Sequence, residues 1–169
     1  LAVWRNWIDY PVALTNGLGA VRAWAGFADG RVNAITADIS LQDVSLRLSH
    51  NLPGIELDHL AGRFAAKFSA NGFEVDGRRI ELLTRALPVT KGKPREAIRI
   101  APTDFHVDWQ SAAGGKAAGG SATASSLDLD ALASLAEHLP LDAKSRQLLG
   151  DYEPRGRISE LRAGWRGDT

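Results

Sequence analysis

The chain has no cysteine among its 169 residues. That excludes disulfides, thiolate catalysis and cysteine-ligated zinc. It fits a reducing compartment, and equally a periplasmic protein built without disulfides. Methionine is absent too, even at residue 1, so the chain is expected to be an excised fragment or a processed product. Neither sign of charge is in excess: 20 Lys and Arg balance 20 Asp and Glu. There is no basic tail or stripe for a nucleic acid or an anionic membrane surface, and nucleic acid is not an expected partner. No apolar run approaches the ~18–20 residues of a membrane-spanning helix. No signal peptide is visible, so any anchor or address is expected outside these residues.

Catalytic patterns are missing as well. His50, His59, His106 and His138 are scattered without ligand spacing. No HExxH, GxSxG or paired-carboxylate unit occurs. Gly17-Leu18-Gly19 lacks the third glycine of a dinucleotide loop and precedes a strand rather than a helix. Asp104, His106 and Asp108 fall at i, i+2, i+4 on one strand face, a spacing that would suit a metal. Their alternation with Phe105, Val107 and Trp109 already accounts for them as a solvated face. No catalytic residue, metal or cofactor is expected, and the chain reads as non-enzymatic.

What the sequence does have is alternation. In Gly30–Leu48, Ile35, Ala37, Ile39 and Leu41 point one way, and Thr36, Asp38 and Ser40 the other. That is the period of two of a strand with one dry face and one wet face. At Gln42-Asp43 the phase slips by one residue, and Val44, Leu46 and Leu48 carry the apolar set onward. Such a slip predicts a β-bulge or bend in a long strand. Leu18–Ala28 alternates ahead of it, and Asp29-Gly30 is a two-residue hairpin signal. Leu60–Ala70 gives the cleanest alternation, with Leu60, Gly62, Phe64, Ala66 and Phe68 on one side. Asn71-Gly72 predicts the next hairpin, and Gly77-Arg78 a turn or bulge. Ile98–Trp109 supplies one or two strands around Pro102. In Gly156–Trp165, Ile158 is out of phase with Leu161 and Trp165, which predicts another bulge.

Helices are few. Trp4, Trp7 and Ile8 fit one side of a short helix within Leu1–Asn16, ended by Pro11. Asp130 is a candidate cap for a helix over Ala131–His138, and Asp142 for a second one ending at Gly150. The Ala/Gly/Ser-rich stretch 111–126 predicts a flexible loop, with a strand beginning at Thr123. The fold class expected is mainly β (α+β): a curved antiparallel β-sheet meander of roughly eight strands with two or three short helices. It forms one segment over 1–169, with the loop at 111–126 and a helical pair at 130–150.

The dry faces carry no charge and are rich in Ala and Gly, which leaves room above the sheet. Either the C-terminal helices cover it or an apolar ligand does, such as an acyl chain. Each buried CH₂ is worth ~0.8 kcal/mol, so a sixteen-carbon chain in water costs on the order of 12 kcal/mol. A groove that carries one must stay unbroken by charge.

Several short stretches are familiar in combination. They are Trp24 before the hairpin, Gly30-Arg31-Val32, Leu41-Gln42-Asp43-Val44, Leu60-Ala61-Gly62-Arg63-Phe64, and Pro154-Arg155-Gly156-Arg157-Ile158 with Leu161 and Trp165. Together they resemble the large AsmA-like proteins of Gram-negative bacteria, nearest the YhdP branch, over most of the chain. The resemblance implies a periplasmic segment of a longer protein anchored in the inner membrane. It implies a bridge-like carrier whose apolar β-groove conducts phospholipid towards the outer membrane. Ile35, Ala37, Ile39 and Leu41, with Phe64, Ala66 and Phe68, would line that groove. The partners implied are phospholipid acyl chains, neighbouring segments of the same longer chain, and other envelope proteins. The alternative from the residues is a non-catalytic structural or protein-interaction module of the cell envelope, its sheet capped by its own helices.

Overall fold

A computed structural model of the chain describes residues 13–47, 52–86, 97–115, 117–138, 152 and 154–167. Seven strands form one sheet: β1 (Ala13–Ala28), β2 (Arg31–Arg47), β3 (Ile55–Ser69), β4 (Gly72–Thr84), β5 (Arg99–Gln110), β6 (Gly119–Asp128) and β7 (Arg157–Arg166). Their order in the sheet is their order in the chain. Every neighbouring pair is antiparallel. The helix α1 (Leu129–Leu135) and a 3₁₀ turn (Ala136–His138) fall between β6 and β7.

The β1–β2 hairpin forms as its sequence dictates. Asp29 and Gly30 both have positive φ, 51° and 73°, as a two-residue turn matched to the strand twist requires. The β3–β4 turn lies one residue earlier than expected. Ser69 pairs with Gly72, so Ala70 and Asn71 make the turn. Gly72 is drawn into the sheet because its backbone lies against the Trp109 carbonyl, leaving no room for a Cβ.

Each predicted phase slip coincides with a strained backbone position. Asp43, Arg79 and Glu160 have φ of 51°, 51° and 54° in mid-strand, a region that L-residues avoid. Before Asp43 the apolar side is carried by Leu41 opposite Leu60. After it, Val44 opposite Leu57 takes over. Arg79 lies at the register shift between Gly77 and Ile80. Its N–H donates to Asp104 Oδ1 at 2.7 Å, which holds the bulge to β5.

Side-chain burial is concentrated at one end of the sheet. Val44, Ile55, Leu57 and Leu135 form the core, with Leu41, Leu46, Leu60, Leu82, Ile98 and Ile100 packed around them. Leu135 comes from α1, so the helix covers the end of the sheet away from the β1–β2 and β3–β4 turns. Asp128 caps α1 and accepts from Ala131 N at 3.0 Å. Asp130, the cap expected from the sequence, instead accepts from Gly156 N at 2.7 Å, tying the helix to the start of β7.

Other expectations are corrected. The sheet has seven strands because β5 runs unbroken through Pro102. That residue lies where β6 does not pair with β5, so its missing N–H costs no ladder bond. β1 begins at Ala13, and the helix expected over Leu1–Asn16 otherwise falls on 1–12, outside the described residues. The expected loop 111–126 is shorter than its composition suggests, since β6 starts at Gly119, four residues before the strand expected from Thr123. Its small side chains suit a strand that passes under the large rings of its neighbours. Of the helical pair 130–150, α1 and the 3₁₀ turn are described, and 139–150 lies outside the described residues.

A core confined to one end makes a quantitative expectation. Leu57 is 1% exposed and Ile35 is 43% exposed. Leu57→Ala should cost about 2–5 kcal/mol of unfolding free energy and Ile35→Ala under about 1. Urea denaturation of the two variants compares them directly. Equal losses would mean that the other end is also covered.

Candidate functional site

Directly paired residues of an antiparallel sheet point to the same side. The pairing therefore shows which residues share a face. One row runs Ala23, Ala37, Phe64, Gly77, Phe105, Ala124, Leu161 across all seven strands. The next runs Ala25, Ile35, Ala66, Val75, Val107, Ala122, Ala163. Neither holds a polar side chain. Ile39 lies opposite Val21 and Gly62, and Leu41 opposite Leu60. The seven residues singled out in the sequence, Ile35, Ala37, Ile39, Leu41, Phe64, Ala66 and Phe68, thus share one continuous apolar face. Leu41 belongs to its covered end and the rest to its open part.

The extent of this face across the strands follows from their number. Neighbouring strands lie about 4.8 Å apart, so seven strands span roughly 29 Å. A bilayer core of about 30 Å holds two leaflets, so one acyl chain needs roughly 15 Å. The face could therefore hold about two chain lengths end to end.

Its floor is levelled by glycine. Gly77 lies between Phe64 and Phe105, whose rings meet edge to face over it with centroids 6.3 Å apart and planes at 62°. A Cβ on Gly77 would collide with the Phe105 ring. Gly120 likewise lies between Trp109 and Trp165, and its Cβ would fall 2.7 Å from Trp165 Cζ2. The room that the sequence promised above the small residues is partly taken by these neighbouring rings. The result is a low apolar floor rather than a set of holes.

β1 is exposed along nearly all of its described length, and on β2 and β3 exposure rises towards the hairpin turns. Phe27 is 70% exposed, and Ile35, Phe68 and Phe73 are all exposed. Phe73 stacks on Trp109 with centroids 6.2 Å apart. A cleft of about 450 Å³ at the sheet margin here is lined by Phe68, Phe73 and Trp109 and also by the polar Asn33, Lys67 and Glu74. No side chain among the described residues covers this part of the face.

The opposite face is polar. Arg63 binds both carboxylate oxygens of Asp38, at 2.5 and 2.8 Å. The hydrogen bond from Arg63 holds the Asp38 carboxyl below its ordinary value. Arg85 reaches Asp43 and Asp58 at 2.5 and 2.8 Å. His106 Nδ1 lies 2.9 Å from Asp76, and Nε2 lies 3.6 Å from Asp108. The hydrogen bond to Asp76 raises the His106 pKa above its ordinary value, and the Asp108 charge adds to it. Asp104 accepts from the Arg79 backbone and Asp108 from Ser121 Oγ. The Asp104, His106 and Asp108 side chains are thus engaged with neighbours on this face. Among the described residues no group of three or more His, Asp or Glu is placed to hold a metal ion.

Sequence reasoning found the β1–β3 part of the apolar face and missed its continuation through Val75, Val107, Ala122 and Leu161. The signal was present in Phe73-Glu74-Val75-Asp76 and in Phe105, Val107 and Trp109. What the sequence alone lacked was the register that joins those strands to β3.

A family model described as YhdP protein matches residues 1–169. No curated protein matches the chain, and no solved structure does.

Two outcomes follow from this geometry. Gly77→Ala should push the Phe105 ring aside and cost about 1–3 kcal/mol, read by denaturant titration; an unchanged midpoint would show that the ring is not seated over Gly77. The His106 pKa is raised on folding, so its contribution to stability is full below the unfolded value of about 6.5 and is lost as pH rises through the folded value. The melting temperature should fall slightly over that interval. In His106→Gln that part of the slope should vanish.

Proposed function

Because the chain belongs to the YhdP family, we propose that it is a segment of a bridge-like carrier that conducts phospholipid along an apolar β-groove. In this reading it works between the inner and outer membranes of Gram-negative bacteria. It lies in the periplasm and is non-catalytic. The observation that carries the reading is the apolar face itself: two rows across seven strands hold no charge, and no described side chain covers their hairpin end. A soluble domain rarely leaves so large an apolar patch open unless something binds there. Ile35, Ala37, Ile39, Phe64, Ala66 and Phe68 form the β2–β3 part of the groove floor, and Leu41 lies where the floor runs into the packed core. No helix among the described residues is long and apolar enough to cross a membrane. Among the described residues nothing pairs with the outer edges of β1 and β7, and there neighbouring segments of a longer chain, or other envelope proteins, would pair.

A second reading, a structural or interaction module, is supported by one observation. Leu135 of α1 packs on Val44, Ile55 and Leu57, so the sheet is capped by its own helix at one end.

Lipid extraction and mass spectrometry on chain purified from bacteria without detergent distinguish the two. The carrier reading expects stoichiometric phospholipid. It also expects Phe64→Asp and Ile39→Asp to abolish lipid retention and complementation while the variants stay folded, because neither residue belongs to the buried core. A folded, monodisperse, lipid-free wild type would favour the interaction module. Full complementation by both folded variants would remove the groove assignment.

A further inference from the structure

The apolar face differs at the two ends of its strands. One is closed by α1 and the aliphatic core around Leu57. The other, at the hairpin turns, ends in an aromatic row. Phe68 of β3 pairs with Phe73 of β4, Phe73 with Trp109 of β5, Trp109 with Gly120 of β6, and Gly120 with Trp165 of β7. Phe27 of β1 is exposed near the turn of its own hairpin. Just beyond this row the chain is polar: Asp29, Ser69, Asn71 and Ser111 lie at or beside the turns.

The two tryptophans carry a second, independent feature. Both Nε1 atoms are shielded from solvent, and neither has an acceptor among the described residues. An indole N–H is a donor only, and a buried donor left unpaired is a cost that native structures rarely carry without reason. Both residues are themselves only half-buried, while the N–H edge of the Trp165 ring lies down against Gly120. A methylene chain offers no acceptor. The ester carbonyls that join acyl chains to glycerol do, and they sit at the boundary between apolar and polar parts of a lipid. Tryptophan gathers at that same boundary in bilayers, ring in the apolar layer and N–H towards the polar one.

We propose that the aromatic row at the hairpin turns is the headgroup side of the groove, where Trp109 and Trp165 turn their N–H groups outward when a diacyl lipid binds and donate to its ester carbonyls. The acyl chains then lie over Phe64, Ala66 and Ile35, and the headgroup projects past the turns rather than past α1. This rests on the carrier reading above and adds an orientation and a chemical preference to it.

The test uses the purified chain and vesicles of equal parts diester phosphatidylglycerol and its diether analogue with matched chains. Mass spectrometry of the protein-bound lipid gives the diester-to-diether ratio. The wild type should favour the diester by about tenfold, the scale of one to two net hydrogen bonds. In Trp109→Phe/Trp165→Phe the ratio should fall close to one, through loss of bound diester and not gain of diether. Phe73→Leu, which alters the same row without removing a donor, should keep the wild-type ratio. A wild-type ratio near one, or a ratio that the double variant leaves unchanged, overturns the inference while leaving the carrier reading intact. Binding of neither lipid by the wild type overturns both.

Discussion

The backbone ladder carries this structure. Six antiparallel pairings join seven strands in chain order, while fully buried side chains gather at one end only. Each ladder bond contributes modestly against water, but breaking one inside the sheet leaves donors and acceptors unpaired, at a larger cost. The sheet can therefore hold its form without a second layer over its apolar face. Ion pairs on the polar face, such as Arg63 with Asp38, are exposed and contribute little beyond fixing cross-strand neighbours.

That economy constrains which residues can make the floor. A face left open to an apolar guest must be smooth, and tall side chains on every strand would leave ridges. The alternation of ring, glycine, ring across β3–β4–β5 and β5–β6–β7 meets the need. It removes the side chain where a neighbouring ring lies down. The cost is sensitivity: neither Gly77 nor Gly120 accepts a Cβ without displacing an aromatic ring. Strand propensity alone disfavours glycine at such positions, so close packing across the strands governs them.

Much of this was legible in the chain. Strict alternation in β2 and β3 gave the dry face, because a period of two has one reading once a strand is granted. The phase slips at Asp43, near Arg78 and after Ile158 marked the three non-glycine mid-strand positions of positive φ, because a residue in that conformation swaps the sides of everything after it. Asp29-Gly30 gave its turn directly. What failed was whatever depended on a partner strand. The run Gly119–Ala122 looks like a loop by composition and is strand where Trp109 and Trp165 flank it. The turn at Asn71 shifted by one residue because Gly72 must meet Trp109. The helix cap moved from Asp130 to Asp128 because Asp130 is needed by Gly156, which is distant in sequence.

The strictly sequential strand order has an architectural consequence. Since no strand crosses over another, the sheet can grow or shrink at either edge without rearranging what lies between. Its natural unit of growth is a hairpin, which adds about 10 Å to the face and returns the chain to the side from which it left. An odd number of strands, as among the described residues here, instead delivers the chain to the opposite side. Two such units joined in series would therefore exchange the side that bears the turns, unless an unpaired strand or a long connection between them restored it. The parity of the strand count, more than any single residue, decides whether the aromatic margin of one unit continues into the next.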